Sequence, residues 1–186
     1  FAVMIRYLGR FKYLAMAHLC LQILGVGLMI LLRKPNYGIG YVIMTQILIA
    51  FGGGGLVISE EMAVMAAAPH EGVASMLALI GLFSSVGGAI GSAIATAIYT
   101  KKFPQALDRA LPGNATLNAE LYGSLTVQLG YPMGSPERDA VIHAYGEAMW
   151  YLTIAGTVVL VPCFFFIGIW KDFKIKELRQ VKGTVL

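Results

Sequence analysis

The sequence has 186 residues, 58% of them hydrophobic and only 13% charged, with a formal net charge of +4 and a mean hydropathy of +0.72. Soluble globular domains carry roughly a quarter charged residues, so the composition excludes a soluble domain and describes a polytopic membrane protein. The basic residues gather at helix ends and in the tail and form no aromatic-interleaved patch, which excludes a nucleic-acid binder.

Residues 1–12 form a basic flank containing Arg6, Arg10 and Lys12. Four apolar segments follow, 13–32, 39–66, 73–99 and 148–170, each long enough to cross a hydrocarbon layer of ~30 Å at ~1.5 Å per helical residue. Uninterrupted apolar runs of this length exclude the alternation of a barrel strand, so the expected fold is an all-α bundle with four transmembrane helices. Between the third and fourth spans lies a long loop, 101–147, expected to be partly helical, and residues 171–186 form a basic tail.

Polar and flexible residues interrupt the spans. In the first, His18 and Gln22 are spaced i, i+4 and share a face; Gln46 is the lone amide of the second span before its glycines. Together they could line a substrate pathway, with His18 serving in proton coupling, or form a hydrogen-bonded pair inside the bundle. Gly52, Gly53, Gly54 and Gly55 lie in mid-span, where each costs up to ~1 kcal/mol of helix propensity relative to Ala. They permit either close helix approach or a hinge. Glu60 and Glu61 follow, and a carboxylate buried at a helix centre costs ~2.5–3.5 kcal/mol, so a buried Glu tends to hold a proton. That is the chemistry of a proton-coupling site, against which stands a solvated pair at headgroup level. Adjacent helical positions are about 100° apart, so one of the two at most faces a cavity.

The third span carries small residues on two stripes, Ser84/Gly88/Ser92/Thr96 and Gly87/Gly91/Ala95. This extended small-xxx-small face predicts a central, closely packed helix. In the loop, Phe103-Pro104, Pro112-Gly113, Tyr131-Pro132 and Ser135-Pro136 read as turns, while Leu117, Leu121, Leu125 and Leu129 recur every four residues along one side of a helix. A lid that contacts substrate and a packed surface connector both fit this pattern. Pro162 predicts a kink in the last span.

Lys and Arg flank the first and last spans on one side, which places both flanks in the cytosol and the 101–147 loop outside. The sequon Asn114-Ala115-Thr116 in that loop agrees, because N-glycosylation marks a lumenal or extracellular face. Cys20 and Cys163 lie within spans, and the loops hold no cysteine, which supports neither a disulfide framework nor a thiol metal site. No phosphate-binding loop, metal-ligand cluster or nucleophile triad is legible, so neither an enzyme, a cofactor nor a bound metal is expected. The opening Phe-Ala-Val has neither an initiator Met nor a signal-peptide pattern, and the expectation is a piece of a longer polypeptide.

The segment SEEMAVMAAAPHEGVASMLALIGLFSSVGGAIGSAIATAIYTKKFPQAL, from Ser59 to Leu107, followed by the long loop, one more span and a basic tail, resembles the C-terminal end of fungal siderophore-iron transporters, a fourteen-span branch of the major facilitator superfamily. The resemblance implies proton-driven import of a ferric siderophore across the plasma membrane, or alternatively an endosomal or vesicular one, by alternating access. It also implies that the four helices need the missing N-terminal part of the same polypeptide to form a pathway. Carried over residue by residue, Glu60 or Glu61 would couple protons, and the loop tyrosines Tyr122, Tyr131 and Tyr145 would contact the passing substrate. An exporter or exchanger of drugs or glutathione in the same superfamily, and a four-span structural protein, are the alternatives.

Overall fold

The computed structural model of the chain describes residues 10–34 and 37–172. The remainder of the expected basic flank and tail, with Arg6, Lys174, Lys176, Arg179 and Lys182, lies outside the described residues. Among the described residues there are six α-helices: α1 (Phe11–Leu32), α2 (Ile39–Ala67), α3 (Val73–Ala110), α4 (Ala115–Gly123), α5 (Leu125–Gly130) and α6 (Pro136–Ile169), with a single 3-10 turn at His70–Gly72 between α2 and α3. The chain is all-α, and α1, α2, α3 and α6 are long and apolar enough to cross a membrane.

Local sequence sets the helix boundaries. Pro69 disfavours helical geometry in the residue before it, and Ala68 accordingly turns extended (φ −84°, ψ 144°). Pro112 acts likewise on Leu111 at the end of α3, after which Gly113 takes a left-handed φ of 89°. Ser135-Pro136, expected as a turn, is the start of α6: Ser135 Oγ accepts from the Arg138 backbone N–H at 3.3 Å, Pro136 occupies the first turn, and Glu137 and Asp139 face the positive end of the helix dipole.

The longest helices differ most from expectation. The third helix does not stop at Tyr99 but continues through Phe103-Pro104 to Ala110, and the last begins at Pro136, twelve residues before 148. Pro104 removes the hydrogen bond to the Thr100 carbonyl, yet the helix persists because Phe103 and Leu107, either side of it, are completely buried. With 38 and 34 residues, α3 and α6 are ~57 Å and ~51 Å long, some 20 Å or more beyond a ~30 Å hydrocarbon layer. The surplus projects at one pole, here called the cap pole. Both described chain ends meet at the other, the terminal pole, where Arg10 pairs with Asp172 at 3.6 Å.

The cap has a hydrophobic core of its own. Phe103, Ala106 and Leu107 of α3, Leu121 of α4, and Ala140, Val141, Ala144 and Ala148 of α6 form its core. The expected single leucine-lined helix is two helices: Ser124 is extended (φ −139°, ψ 115°) and its Oγ caps α5 by accepting from Val127 N–H. The break rotates the stripe, so Leu121 is fully buried and Leu117 packs on the core, while Leu125 and Leu129 point outward. Gln128, nearly buried, donates to the Leu121 carbonyl and supplies its own carbonyl to Arg138 at 2.8 Å, tying α5 to both neighbours.

In the membrane region α1 lies between α2 and α6. Its contact with α2 is close enough to need glycine on both helices. A Cβ on Gly52 would stand 2.6 Å from the Gln22 backbone nitrogen, one on Gly55 would overlap the His18 ring, and one on Gly25 would come within 2.8 Å of Ile49. At the terminal pole Lys12 of α1 donates to the Gly168 and Trp170 carbonyls at 2.6 and 2.9 Å, capping the C-terminus of α6.

The small-residue face of α3 is not packed by any described residue: a Cβ at Gly87, Gly88 or Gly91 would meet no atom within 4 Å. Helix α3 borders the same cavity as α2 near the terminal pole and shares the cap core with α6. The expected central packing of this helix is thus absent among the described residues. Helix α6 is continuous through Pro162.

Two substitutions test this packing. Gly52→Ala drives a methyl into the Gln22 backbone and should destabilise the full-length protein in detergent by ~1–3 kcal/mol, whereas Gly54→Ala, with nothing within 4 Å, should be neutral or gain up to ~1 kcal/mol; equal thermal unfolding midpoints for the two would overturn the close-contact assignment. Phe103→Ala empties the cap core at a cost of ~3–5 kcal/mol and should expose residues 111–135 to limited proteolysis, while Leu125→Ala, at a side chain left 63% exposed, should leave the cleavage pattern unchanged.

Candidate functional site

Helix α2 presents two adjacent faces to two different surroundings. Gly52, Gly55, Leu56 and Ser59 are buried, and the two glycines meet α1. Glu60, Ala63, Val64 and Ala67, spaced i, i+3, i+4 and i+7, line a cavity of ≈ 480 Å³. The opposite walls of that cavity are Met76 and Ile80 of α3 and Trp170 and Lys171 beyond the end of α6. Glu60 stands seven residues before the end of α2, ~10 Å along its axis. Both neighbouring carboxylates are at exposed positions, and of the two only Glu60 belongs to the lining of the cavity.

This cavity is mainly apolar, with one acidic and one basic side chain at its wall. Glu60 lines this space from an exposed position on α2, so the buried carboxylate weighed from the sequence is not what the structure shows. The Lys171 ammonium is the cation that shares the space with it.

His18 and Gln22 occupy the α1–α2 contact. The His18 ring lies against Gly55, with Nδ1 at 2.7 Å from the Leu14 carbonyl oxygen. The Gln22 side-chain amide lies over Gly53, and its Oε1 is buried with no hydrogen-bond partner among the described residues. Gly54 faces open space. Gln46 is further along: its Nε2 donates to Met29 Sδ at 3.9 Å. Between Gln22 and Met29 comes the apolar contact of Gly25 with Ile49, so the three polar residues do not make a continuous file.

At the cap pole the structure assembles an aromatic group that only partly coincides with the expected tyrosines. Tyr122 and Tyr145 surround Phe103, with ring centroids 5.9 and 4.6 Å away, and Tyr99 stacks on Phe103 at 5.3 Å. Tyr131 packs against the same core, and Tyr145 Oη donates to Gln128 Oε1 at 3.2 Å. Tyr99 and Phe103 were missed as members of this group, though their i, i+4 spacing on an unbroken helix is the signal that places them side by side.

Beside the aromatic group is a polar groove of ≈ 470 Å³ lined by Lys102, Gln105, Asp108, Arg109, Glu147 and Tyr151. Arg109 bonds Glu147 at 2.6 Å, and the Lys102 ammonium stands 4.0 Å from the Tyr151 ring centroid. Both contacts join α3 to α6. No group of three or more His, Cys, Asp or Glu residues able to hold a metal ion is found among the described residues. Asn114 lies exposed, immediately preceding α4.

No family model matches the chain, and no solved structure matches it. Several curated fungal proteins do. The chain is 50% identical over 186 residues to "MFS siderochrome iron transporter 1" of Ajellomyces capsulatus, an alignment covering 99% of this chain and 32% of that protein. It is 49% identical to "Siderochrome iron transporter 2" of Aspergillus fumigatus, over 100% of this chain and 31% of the relative. To "Siderophore iron transporter mirB" of Emericella nidulans it is 41% identical, over 97% and 30% respectively. The chain thus spans about a third of the length of the curated relatives it matches. Near-complete coverage of its four membrane helices and cap at such identity fixes the relationship: the chain belongs to the siderochrome iron transporter family of the major facilitator superfamily.

Proposed function

We propose that this chain is the C-terminal part of a secondary transporter that imports ferric siderophores by proton symport and alternating access. The proposed site is the plasma membrane, with the cap outside and both flanks in the cytosol. The observation that carries this reading is the 50% identity, over 99% of the chain, to a protein named as a siderochrome iron transporter. Iron is then cargo, held by the siderophore's own donor atoms.

In this reading Glu60 is the proton-coupling group. Protonated, it is a neutral wall residue of the cavity between α2, α3 and the end of α6. Ionised, it attracts the Lys171 ammonium across the same cavity and favours the arrangement that keeps these segments together. Proton binding and release thereby bias one of two packings, which is what coupling requires. Tyr122, with Tyr99 beside it, offers an aromatic surface to the incoming chelate, while Tyr145 and Tyr131 support that surface from below. His18 and Gln22 are kept as structural members of the α1–α2 contact.

The test uses the full-length protein and a labelled ferric siderophore. Glu60→Gln imitates the protonated carboxyl, so the variant should lose acid-gradient-driven accumulation yet retain exchange of bound siderophore between the two sides. Glu61→Gln should accumulate normally. Undiminished accumulation by Glu60→Gln, or equal losses in both variants, would move the coupling role elsewhere.

A further inference from the structure

We infer that Asn114 carries an N-linked oligosaccharide, a modification that rests on the proposed outward orientation of the cap. The sequon Asn114-Ala115-Thr116 is exposed at all three positions. Gly113, with φ 89°, swings the chain out of α3 immediately before it. Asn114 itself has φ −115° and ψ 55°, and its side chain makes no capping bond to α4. Its main chain is nevertheless held, since the Asn118 N–H donates to the Asn114 carbonyl at 2.9 Å. The backbone is thus fixed while the amide is left in solvent, which is what a bulky hydrophilic substituent needs if the fold is to accommodate it.

Height above the bilayer is the second requirement. Taking Tyr99 as the interfacial anchor, α3 runs a further eleven residues to Ala110, or ~17 Å. The headgroup region adds only ~5–8 Å per side. Asn114 therefore clears the lipid surface by ~10 Å. The side chains buried beneath it are engaged separately: Asn118 Nδ2 donates to Asp108 Oδ1 at 2.9 Å and to the Leu111 carbonyl at 3.2 Å. A glycan on Asn114 displaces none of these bonds.

The reaction joins Asn114 Nδ2 to C1 of the first sugar of a lipid-diphosphate-linked oligosaccharide. The bond from C1 to the diphosphate oxygen breaks, the lipid diphosphate leaves with the electron pair, and the amide gives up one proton to the transferase's base. Thr116 supplies the hydroxyl that completes the acceptor motif.

The test is electrophoretic mobility of the full-length protein, made in a eukaryotic host, before and after treatment with an endoglycosidase that removes N-linked chains. Wild type should migrate more slowly than Asn114→Gln and Thr116→Ala by one glycan, Thr116→Ser should retain the shift, and the enzyme should abolish the difference. Identical mobility of wild type and Asn114→Gln would overturn the inference. An Ala119→Cys variant, at an exposed position of α4, separates the two ways it can fail. Labelling of intact cells above the wild-type background by a membrane-impermeant maleimide, without a glycan, sinks the modification alone. Absence of labelling until the membrane is permeabilised sinks the orientation as well.

Discussion

Gly25, Gly52 and Gly55 allow α1 and α2 to come together until side chains of one helix touch the backbone of the other. In lipid, where apolar surfaces gain nothing from leaving water, such contact is a main source of helix association. Everything else in the membrane region follows from this pair. It fixes the rotation of α2 about its axis, and with it the direction of Glu60, which would otherwise be undetermined between two adjacent carboxylates. It also sets α1 as the partition between α2 and α6, leaving the cavity at the terminal pole walled by α2, α3 and the residues after α6.

The cap obeys different physics. Its core residues, with Phe103 and Leu107 fully buried, are enclosed by the cap's own helices, and wherever the surplus length of α3 and α6 stands clear of the hydrocarbon layer the hydrophobic effect favours that enclosure. Because the cap is built on continuous extensions of α3 and α6, any change in the angle between these helices is transmitted to the aromatic group and the polar groove at the cap pole. Tyr99 and Phe103 lie on the very helix whose other end, at Met76 and Ile80, borders Glu60.

Much of this was legible in the sequence, and the reasons for the rest are specific. Runs of apolar residues identify spans because bilayer thickness imposes a length, so the number and approximate position of the four membrane helices could be read directly. Helix ends outside the bilayer carry no such signature: the residues from Lys101 to Ala110 are helical through burial of Phe103 and Leu107, a tertiary effect that periodicity in a proline-containing stretch does not announce. The leucine repeat was real but its continuity was not, because Gly123 and Ser124 end one helix and cap the next. Gly25 escaped notice beside the conspicuous run from Gly52 to Gly55, although it is the same device on the partner helix. The small-residue stripes of α3 predicted a closely packed central helix, yet no described residue packs on Gly87, Gly88 or Gly91; composition marks a surface smooth enough for close approach but does not say what, if anything, lies on it.

The bonds from Lys12 to the carbonyls at the end of α6 join positions 156 and 158 residues apart. A ribosome delivers these partners at opposite ends of the described segment, so α1 enters the bilayer long before its cation has anything to cap. Contacts this distant in sequence form late. The clamp therefore closes the described segment on itself: it cannot form until α1 and α6 stand side by side with the start of one level with the end of the other, and once formed it holds those two ends in register.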